Sequence, residues 1–338
     1  DSYAEMRSPN PDYGFVMVDD FAYAVLAQTD PVNWGAAMDL PQDQRDKWIS
    51  GGKHEIDRIQ ANETLGEWVP TKSLPKGTKL VRMGDVLRTK RDDTCKARVV
   101  IKGFTMQAGV HFNQTFSPTV NIATFRIMLV LAAMNDWDIW QGDAPSAFMQ
   151  PKIDSEIHVT PTPLMRHFDI KLQKLEAIHG KGNVAAQVLK GLPGIPQGSR
   201  LWNQHMNKIL GARGFVRSAV DYGLYWIPGY KLYLLLWVDD LFFFVAKEHA
   251  AKMDEEWKHL QDKIGIGKME PIEDCLGVDV KRDRPNRRIF ISQEKSILTL
   301  RTKVGLEDAK GSAATPMEPK ARLSKADCPT ELEAKTMG

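Results

Sequence analysis

The chain has 338 residues, 43% of them hydrophobic and 26% charged, which is enough for about two domains with a sizeable core. Its formal net charge is +2, so the overall charge predicts no particular binding partner. Its 3 cysteines are too few and too scattered for a disulfide framework or a zinc site. The start "DSYAEMRSPN" lacks the apolar core of a signal peptide, and no apolar run is long enough to span a membrane. We therefore expect an intracellular globular protein without a membrane partner. The absence of an initial Met and the polar end "TELEAKTMG" favour a fragment of a longer protein.

Charge is more informative locally than overall. Residues 71–104 hold ten Lys or Arg against three Asp, and residues 181–217 hold six Lys or Arg and no acid. Segments of this kind can neutralise the phosphates of a nucleic acid, but they are also typical of a solvated protein face. Charge alone leaves both interpretations open.

The N-terminal part of the chain predicts little regular structure before a first helix. Residues 1–45 mix Pro, Asp and Gly with short apolar patches, which indicates a loosely structured lead-in. Residues 43–62 have apolar positions at helical spacing and predict an amphipathic helix. The adjacent Gly51 and Gly52 weaken that prediction, because glycine is unfavourable inside a helix.

A pair of strands and a strongly apolar helix are predicted next. The stretches 78–89 and 96–104 are rich in β-branched residues and alternate in polarity, so they predict paired strands joined by a polar turn at 91–94. Residues 123–137 are apolar nearly all round a helix, which predicts a buried helix.

The second half of the chain predicts helices packed on an antiparallel sheet. "DIWQGDAPSAFMQ" indicates a strand that leads into a turn and a short helix near Pro145. Residues 166–187 predict a helix and a flexible loop, and residues 198–215 predict a helix with one apolar side that ends at a glycine. Further along, we predict strands over 221–246, a helix over 248–264, a strand pair over 275–293 and a helix near 295–303. The fold class is therefore α+β and not a wound parallel fold.

The stretch "LYLLLWVDDLFFFVA", residues 232–246, places Asp239 and Asp240 inside the most apolar part of the chain. The simplest interpretation is a tight β-hairpin whose strands are buried while its tip presents the two carboxylates to solvent or to a cation. The alternative is that the acids only form a turn. Two adjacent carboxylates repel each other, and near an apolar sheet at least one should have a raised pKa unless a cation neutralises the pair.

A pair of Mg²⁺ ions would neutralise such acids. Mg²⁺ prefers oxygen ligands and usually takes one or two carboxylates together with substrate phosphates, as in the two-metal sites that catalyse phosphoryl displacement. Such a site needs a carboxylate from another strand. Asp143 supplies one where a predicted strand ends, five residues before Phe148.

These motifs resemble those of a known family. "DAPSAF" at 143–148, "IPQGSRLW" at 195–202 and "WVDD" at 237–240 have the order and approximate spacing found in the reverse transcriptase domain of copia-type LTR retrotransposons. "KARVVIKGFTMQAGVHFNQTFSPTV", at 96–120, also resembles the segment that precedes the first aspartate in that family. The resemblance covers roughly residues 30–320.

The resemblance implies roles for the three acids. Asp143 and Asp239 would be the carboxylates that bridge the metal ions, and Asp240 would be a third acid nearer the primer end. Trp237 stands where the family usually has Tyr, so it would keep an aromatic platform at the primer terminus without the hydroxyl group.

The resemblance also implies a binding site for the dNTP. Lys96 and Arg98 would grip the triphosphate, with a solvated strand face as the alternative. Phe148 would be the steric gate beneath the sugar, with a core aromatic as the alternative. Gln197 would contact the nucleotide near its sugar, with an ordinary turn as the alternative. Pro196 replaces the Lys that usually precedes this Gln in the family.

The fold implied by the resemblance is a right-hand polymerase. Residues 46–290 would form interleaved fingers and palm with an antiparallel palm sheet, and residues 291–338 would begin a thumb or connection, without RNase H. The implied activity is RNA-directed and DNA-directed DNA polymerisation, in which a primer is extended with dNTPs by two Mg²⁺ ions, or Mn²⁺ in their place. A decayed or host-adopted copy that binds nucleic acid without polymerising, and a structural module of a polyprotein, are the alternatives.

The implied partners are an RNA or DNA template with its primer and the protease, integrase and RNase H parts of a Pol polyprotein. The implied location is the cytoplasm, within a virus-like particle, with the nucleus as the alternative. The segment 165–186 is expected to be an insertion relative to the family.

Overall fold

The structure is a computed structural model that describes residues 30–90 and 93–303. The chain divides into a large unit that ends at Ser296 and a small one that begins at Ile297. The α-helices of the described residues are α1 (Trp34–Met38), α2 (Gln42–Ala61), α3 (Ile122–Asn135), α4 (Pro163–Phe168), α5 (Ile170–His179), α6 (Gly198–Ala212), α7 (Ala250–Ile264) and α8 (Glu294–Lys303). In this part of the chain, none of the helices combines the length and the apolar character needed to cross a bilayer.

The strands form three sheets. They are β1 (Val69–Pro70), β2 (Leu80–Thr89), β3 (Cys95–Ile101), β4 (Asp138–Asp143), β5 (His158–Thr160), β6 (Val184–Gln187), β7 (Val216–Arg217), β8 (Leu224–Trp226), β9 (Leu232–Trp237), β10 (Asp240–Val245), β11 (Glu270–Pro271), β12 (Asp274–Cys275), β13 (Val278–Asp283) and β14 (Arg288–Ser292). The five-stranded sheet has the order β1-β6-β5-β2-β3, the six-stranded sheet β11-β4-β10-β9-β8-β7 and the three-stranded sheet β12-β13-β14. Neighbouring strands are antiparallel except β2 and β5. This topology confirms a mixed α/β fold with antiparallel sheets.

The helix predicted over 43–62 is confirmed as α2, and its two glycines have a packing role. A Cβ atom at Gly51 would lie 2.2 Å from the carbonyl oxygen of Cys95, and one at Gly52 would lie 2.5 Å from the ring of Trp34. Neither glycine can carry a larger side chain without moving a neighbour. The glycines therefore let α2 approach β3 and α1 closely.

The predicted hairpin over 232–246 is confirmed, and β10 is buried on both of its faces. Phe242 and Phe244 point to one side, where α3 packs, while Leu241 and Phe243 point to the other side and share a core with residues of α6 and α7. Each of these four side chains is at most 2% exposed. Burial of one such side chain contributes about 1.5–3 kcal/mol, so the strands below the two aspartates are firmly held.

Three local predictions were wrong. The helix over 123–137 forms, as α3, but it is not buried all round, because an apolar stripe along it is 57–60% exposed (Ile127, Val130 and Met134). Residues 184–187 are the buried strand β6 and not part of a flexible loop, because β1 and β5 pair with them. Within the expected lead-in, α1 buries Trp34. Residues 1–29 of that lead-in, residues 91 and 92 of the predicted turn and residues 304–338 lie outside the described residues.

Candidate active site

Asp143, Asp240 and Trp237 form a row across three neighbouring strands. Asp240 on β10 is the register partner of Asp143 on β4 and, on its other side, of Trp237 on β9. Residues directly opposite each other in an antiparallel pair point to the same face, with Cβ atoms about 4.5–5.5 Å apart. The fold therefore brings together two acids that are 97 positions apart in the sequence.

The remaining acid, Asp239, lies in the two-residue turn that joins β9 to β10. Its turn neighbour Val238 has a φ of 52°, which is unusual for a β-branched residue and persists only where the surroundings enforce it. Two hydrogen bonds do so: the indole N–H of Trp202 donates to the carbonyl oxygen of Val238, and the backbone N–H of Ala144 donates to that of Asp239 at 2.8 Å. The second bond ties the turn directly to the residue after Asp143.

The three carboxylates repel one another, which favours binding of a cation between them. Burial, together with the carboxylates of Asp239 and Asp143, raises the pKa of Asp240 to about 6. Burial and Asp239 also raise the pKa of Asp143, while Lys96 and Arg98 oppose that rise. None of the three acids forms an ion pair with a cation of the described residues. No ion pair among the described residues therefore neutralises these acids, and Lys96 and Arg98 act on Asp143 only as longer-range charges.

The donor set fits a hard divalent cation. Three carboxylates supply only oxygen ligands, which Mg²⁺ and Mn²⁺ prefer. Among residues 30–90 and 93–303, however, no three His, Cys, Asp or Glu side chains stand close enough together to hold a metal ion by themselves. Because Mg²⁺ usually completes its coordination with water and substrate phosphates, the acids fit a metal that arrives with a phosphate ligand.

The two predicted phosphate-binding residues lie on β3 and act electrostatically on Asp143. Lys96 and Arg98 alternate with the buried residues of this strand, so both point to the same, less buried face. Arg98 is exposed and Lys96 is half-buried. Burial lowers the pKa of Lys96, and the positive charges of Arg98 and Lys90 act in the same direction. The positive charges of these two residues thus act on Asp143, although Asp143 belongs to a different sheet.

The two other predicted nucleotide contacts lie at the start of α6. The half-buried ring of Phe148 lies beside Gly198, since a Cβ atom there would be 3.5 Å from the ring. Gln197 is fully buried, and its amide donates to the carbonyl oxygen of His111 at 3.0 Å and to the hydroxyl of Ser155 at 3.1 Å. In this arrangement Gln197 supports the surrounding loops and does not reach the surface, so its contact with a nucleotide stays a prediction.

Trp202 is the residue of this site that the sequence did not indicate as functional. Its spacing on α6 predicts an apolar contact, which is correct because the residue is 1% exposed. Its indole N–H nevertheless holds the Val238 carbonyl, and it lines a small crevice together with Val238 and the segment 117–119. No sequence pattern specifies such a hydrogen bond, because it depends on how α6 packs against the turn.

Gly142 precedes Asp143 and permits close packing behind the site. A Cβ atom at this position would lie 2.5 Å from the buried ring of Trp257 on α7. We expect Gly142→Ala to lower the free energy of unfolding by about 1–3 kcal/mol, the usual cost of overpacking, in urea titrations. Gly211→Ala is the control: nothing lies within 4 Å of its Cβ position on α6, so it should stabilise by about 0.5–1 kcal/mol. Equal stability of the two variants would contradict this account.

The fold and the site define an α+β protein whose antiparallel sheet carries three carboxylates at and beside a hairpin tip. The family described as "Reverse transcriptase (RNA-dependent DNA polymerase)" matches residues 68–319, which include all three acids. The chain belongs to this reverse transcriptase family. The resemblance of its motifs to that family is therefore confirmed.

The relatives of the chain are Pol polyproteins of copia-type retrotransposons. It is 28% identical over 306 residues to the retrovirus-related Pol polyprotein from transposon TNT 1-94 of Nicotiana tabacum, covering 88% of this chain and 22% of that protein. It is 26% identical over 328 residues to the corresponding polyprotein from transposon RE1 of Arabidopsis thaliana, covering 95% of this chain and 20% of that protein. Similarity extends to the transposon Ty1-DR1 Gag-Pol polyprotein of Saccharomyces cerevisiae, at 22% identity over 265 residues, covering 75% of this chain and 14% of that protein. The chain spans about a fifth or less of the length of these relatives.

Proposed function

We propose that the chain is an RNA-directed and DNA-directed DNA polymerase that extends a primer with dNTPs. Residues 46–290 act as its fingers and palm, with the six-stranded sheet as the palm sheet, and residues 291–338 begin a thumb or connection. The observation that carries the proposal is the row of Asp143 and Asp240 beside the turn residue Asp239, with Lys96 and Arg98 in electrostatic range. Acids for metal and cations for a triphosphate are the two halves of a nucleotidyl-transfer site.

The three acids have distinct tasks in this proposal. Asp143 and Asp239 would hold two Mg²⁺ ions, or Mn²⁺ in their place, with Asp240 as a third acid toward the primer end. The chemistry that such ions supply is a lowered pKa of the primer 3′-hydroxyl and a stabilised charge on the leaving pyrophosphate. The hairpin turn is held because its carbonyl oxygens accept hydrogen bonds from the backbone N–H of Ala144 and the indole N–H of Trp202, so little reorganisation is needed on binding.

The remaining residues bind and orient the substrates. Arg98, whose planar guanidinium is exposed, and Lys96 bind the triphosphate of the dNTP. Phe148 limits the space beneath the sugar, Gln197 supports or contacts the nucleotide, and Trp237 supports the primer terminus. The basic segments 71–104 and 181–217 bind the phosphate backbones of an RNA or DNA template and its primer, and base identity is read by pairing.

The proposal is tested by primer extension on an RNA template and on a DNA template, each with Mg²⁺ and with Mn²⁺. We expect extension with dNTPs that stops on addition of a chelator. Binding of primer–template without extension in either metal would instead favour a decayed or host-adopted copy. Self-association with no nucleic-acid binding would favour a structural module of a polyprotein.

Sugar selectivity provides a second, internally controlled test. We expect Phe148→Val to lower the preference for dNTPs over rNTPs by about a hundredfold, because the smaller side chain leaves room for a 2′-hydroxyl group. The measurement is the ratio of kcat/KM for matched deoxy and ribo substrates, which cancels any general loss of activity. Phe290→Val, at a 54% exposed position on β14, is the control and should leave the ratio unchanged. An unchanged ratio in Phe148→Val would remove Phe148 from the sugar site.

In its polyprotein setting the domain would work beside protease, integrase and RNase H parts. The relatives named above are Pol and Gag-Pol polyproteins, of which this chain matches one portion. We place its activity in the cytoplasm, within a virus-like particle, with the nucleus as the alternative site.

A further inference from the structure

Glu55 is a buried carboxylate on α2 that has no role in the proposed reaction. Only 2% of the surface of Glu55 is exposed. Burial of a charged carboxylate is costly unless other groups compensate it, so the fold must supply specific partners. Two are present: one carboxylate oxygen, Oε1, accepts the backbone N–H of Val99 at 3.0 Å, and the other, Oε2, forms an ion pair with Nη2 of Arg58 at 2.6 Å, with angles short of a hydrogen bond.

The bond to Val99 is made at the free edge of a sheet. β3 is the last strand of the five-stranded sheet, so its outer N–H groups have no neighbouring strand to accept them. α2 covers that edge, with Gly51 against the carbonyl oxygen of Cys95 and Glu55, one helical turn later, against the N–H of Val99. Glu55 thus satisfies an edge donor and fixes where β3 lies against the helix.

The peptide unit that Glu55 holds joins Arg98 to Val99. It therefore lies directly beside one of the two cations proposed to bind the triphosphate and three residues from the other, Lys96. The negative charge of Glu55 also acts on Lys96 in opposition to the surrounding cations Arg98, Lys90 and Arg58. Both its hydrogen bond and its charge thus act on the strand that carries the two cations affecting the pKa of Asp143.

We propose that Glu55 is a positioning residue for the triphosphate site: by holding the Val99 N–H and Arg58 it orients β3 so that Lys96 and Arg98 face the acids. This inference rests on the proposed polymerase function, since it assigns the residue that supports the dNTP subsite. Glu55 itself touches no substrate. Its loss should weaken dNTP binding more than it affects duplex binding or the chemical step.

The test measures dNTP affinity without requiring catalysis. The full chain is bound to a primer–template whose primer ends in a dideoxynucleotide, and the next dNTP is titrated in the presence of Mg²⁺. We expect Glu55→Ala to raise the Kd for the dNTP about tenfold and Glu55→Gln, which keeps an acceptor for Val99, to raise it about threefold. The Kd for the duplex should stay within about twofold in both variants, because duplex binding is spread over the basic segments 71–104 and 181–217 and depends little on how Lys96 and Arg98 are oriented.

Glu176→Gln is the matched control. Glu176 on α5 also pairs with an arginine, Arg166 at 2.9 Å, and also accepts a backbone N–H, that of Gly182 at 3.4 Å, but neither of these partners lies on β3. Glu176→Gln should lose about as much thermal stability as the Glu55 variants while leaving the Kd for the dNTP unchanged. Hydrogen exchange of the peptide 95–101 gives a second readout, which should rise in Glu55→Ala and not in Glu176→Gln.

Each outcome decides the inference. A dNTP Kd in Glu55→Ala within twofold of wild type overturns it, as does an equal rise in Glu176→Gln, which would indicate general destabilisation. A wild-type chain that binds the dNTP but never extends an ordinary primer overturns the polymerase function while the role of Glu55 is still read from binding. A wild-type complex that binds no dNTP overturns both.

Discussion

Asp239→Ala is expected to abolish primer extension while leaving folding and nucleic-acid binding intact. Asp239 is exposed in the hairpin turn, and its backbone carbonyl, not its side chain, accepts the N–H of Ala144. Truncation therefore removes the proposed metal ligand without removing a structural bond. Loss of one group that stabilises charge in a transition state typically lowers kcat by about a hundredfold to a thousandfold, and a metal ligand should be at or above the upper end.

Two measurements separate this loss from a structural defect. The urea midpoint of Asp239→Ala in a chelator should be equal to or above that of wild type, because Asp239 repels Asp143 and Asp240. Its affinity for a primer–template should be equal or slightly higher, because the variant carries one negative charge less near a polyanion. Asp254→Ala, which removes an exposed acid from α7, is the control and should extend primers normally. A fully active Asp239→Ala enzyme would sink the assignment of the site.

The elements of this site could be predicted from sequence, whereas their alignment could not. Alternation and β-branched content specify the strands around Asp239, and "DAPSAF" marks the strand end at Asp143, because these are local properties. The pairing of Asp143 with Asp240 depends on the register between β4 and β10, which is set by packing of Ile139, Phe242 and Phe244 against α3. The sequence therefore predicts which acids belong to the candidate site but not which of them are direct neighbours across the strands.

Burial of particular side chains was harder to predict than secondary structure. A glutamate within an amphipathic helix is typical of a solvated face, yet Glu55 is buried because β3 presents an unpaired edge to α2. Residues 123–137 show the reverse case, since an apolar surface all round a helix does not reveal which side other elements cover. Gln197 likewise belongs to a turn-like sequence, but it is buried and bonded to His111 and Ser155 from two other segments. Each of these outcomes depends on tertiary contacts between segments distant in sequence.

Asp240→Asn is expected to stabilise the metal-free protein above pH 6 while it impairs activity. In the folded chain the pKa of Asp240 is raised to about 6 by burial and by the two neighbouring acids, compared with about 3.9 in an unfolded chain. Between these values the native state binds more protons than the unfolded state, so stability falls as pH rises through about 6. The ionised carboxylate is then a repulsive group, and its replacement by a neutral amide removes that repulsion.

The gain should be about 1–2 kcal/mol at pH 8, because one unit of pKa shift corresponds to about 1.4 kcal/mol and partial exposure screens the interaction. It should fall to about half of this value at pH 5 and vanish only below about pH 4, where Asp240 is protonated in the unfolded chain as well as in the folded one. Urea titrations in a chelator at pH 5 and pH 8 measure the difference, with Asp254→Asn as the exposed control. Mg²⁺ should reverse the order at pH 8, since ligand binding to the native state stabilises wild type more than a variant lacking one carboxylate. A gain that is independent of pH, or a loss of stability at pH 8, would show that Asp240 is not held under repulsion. The repulsion between the carboxylates lowers the stability of the metal-free protein, and the same repulsion favours binding of a divalent cation, which would relieve it.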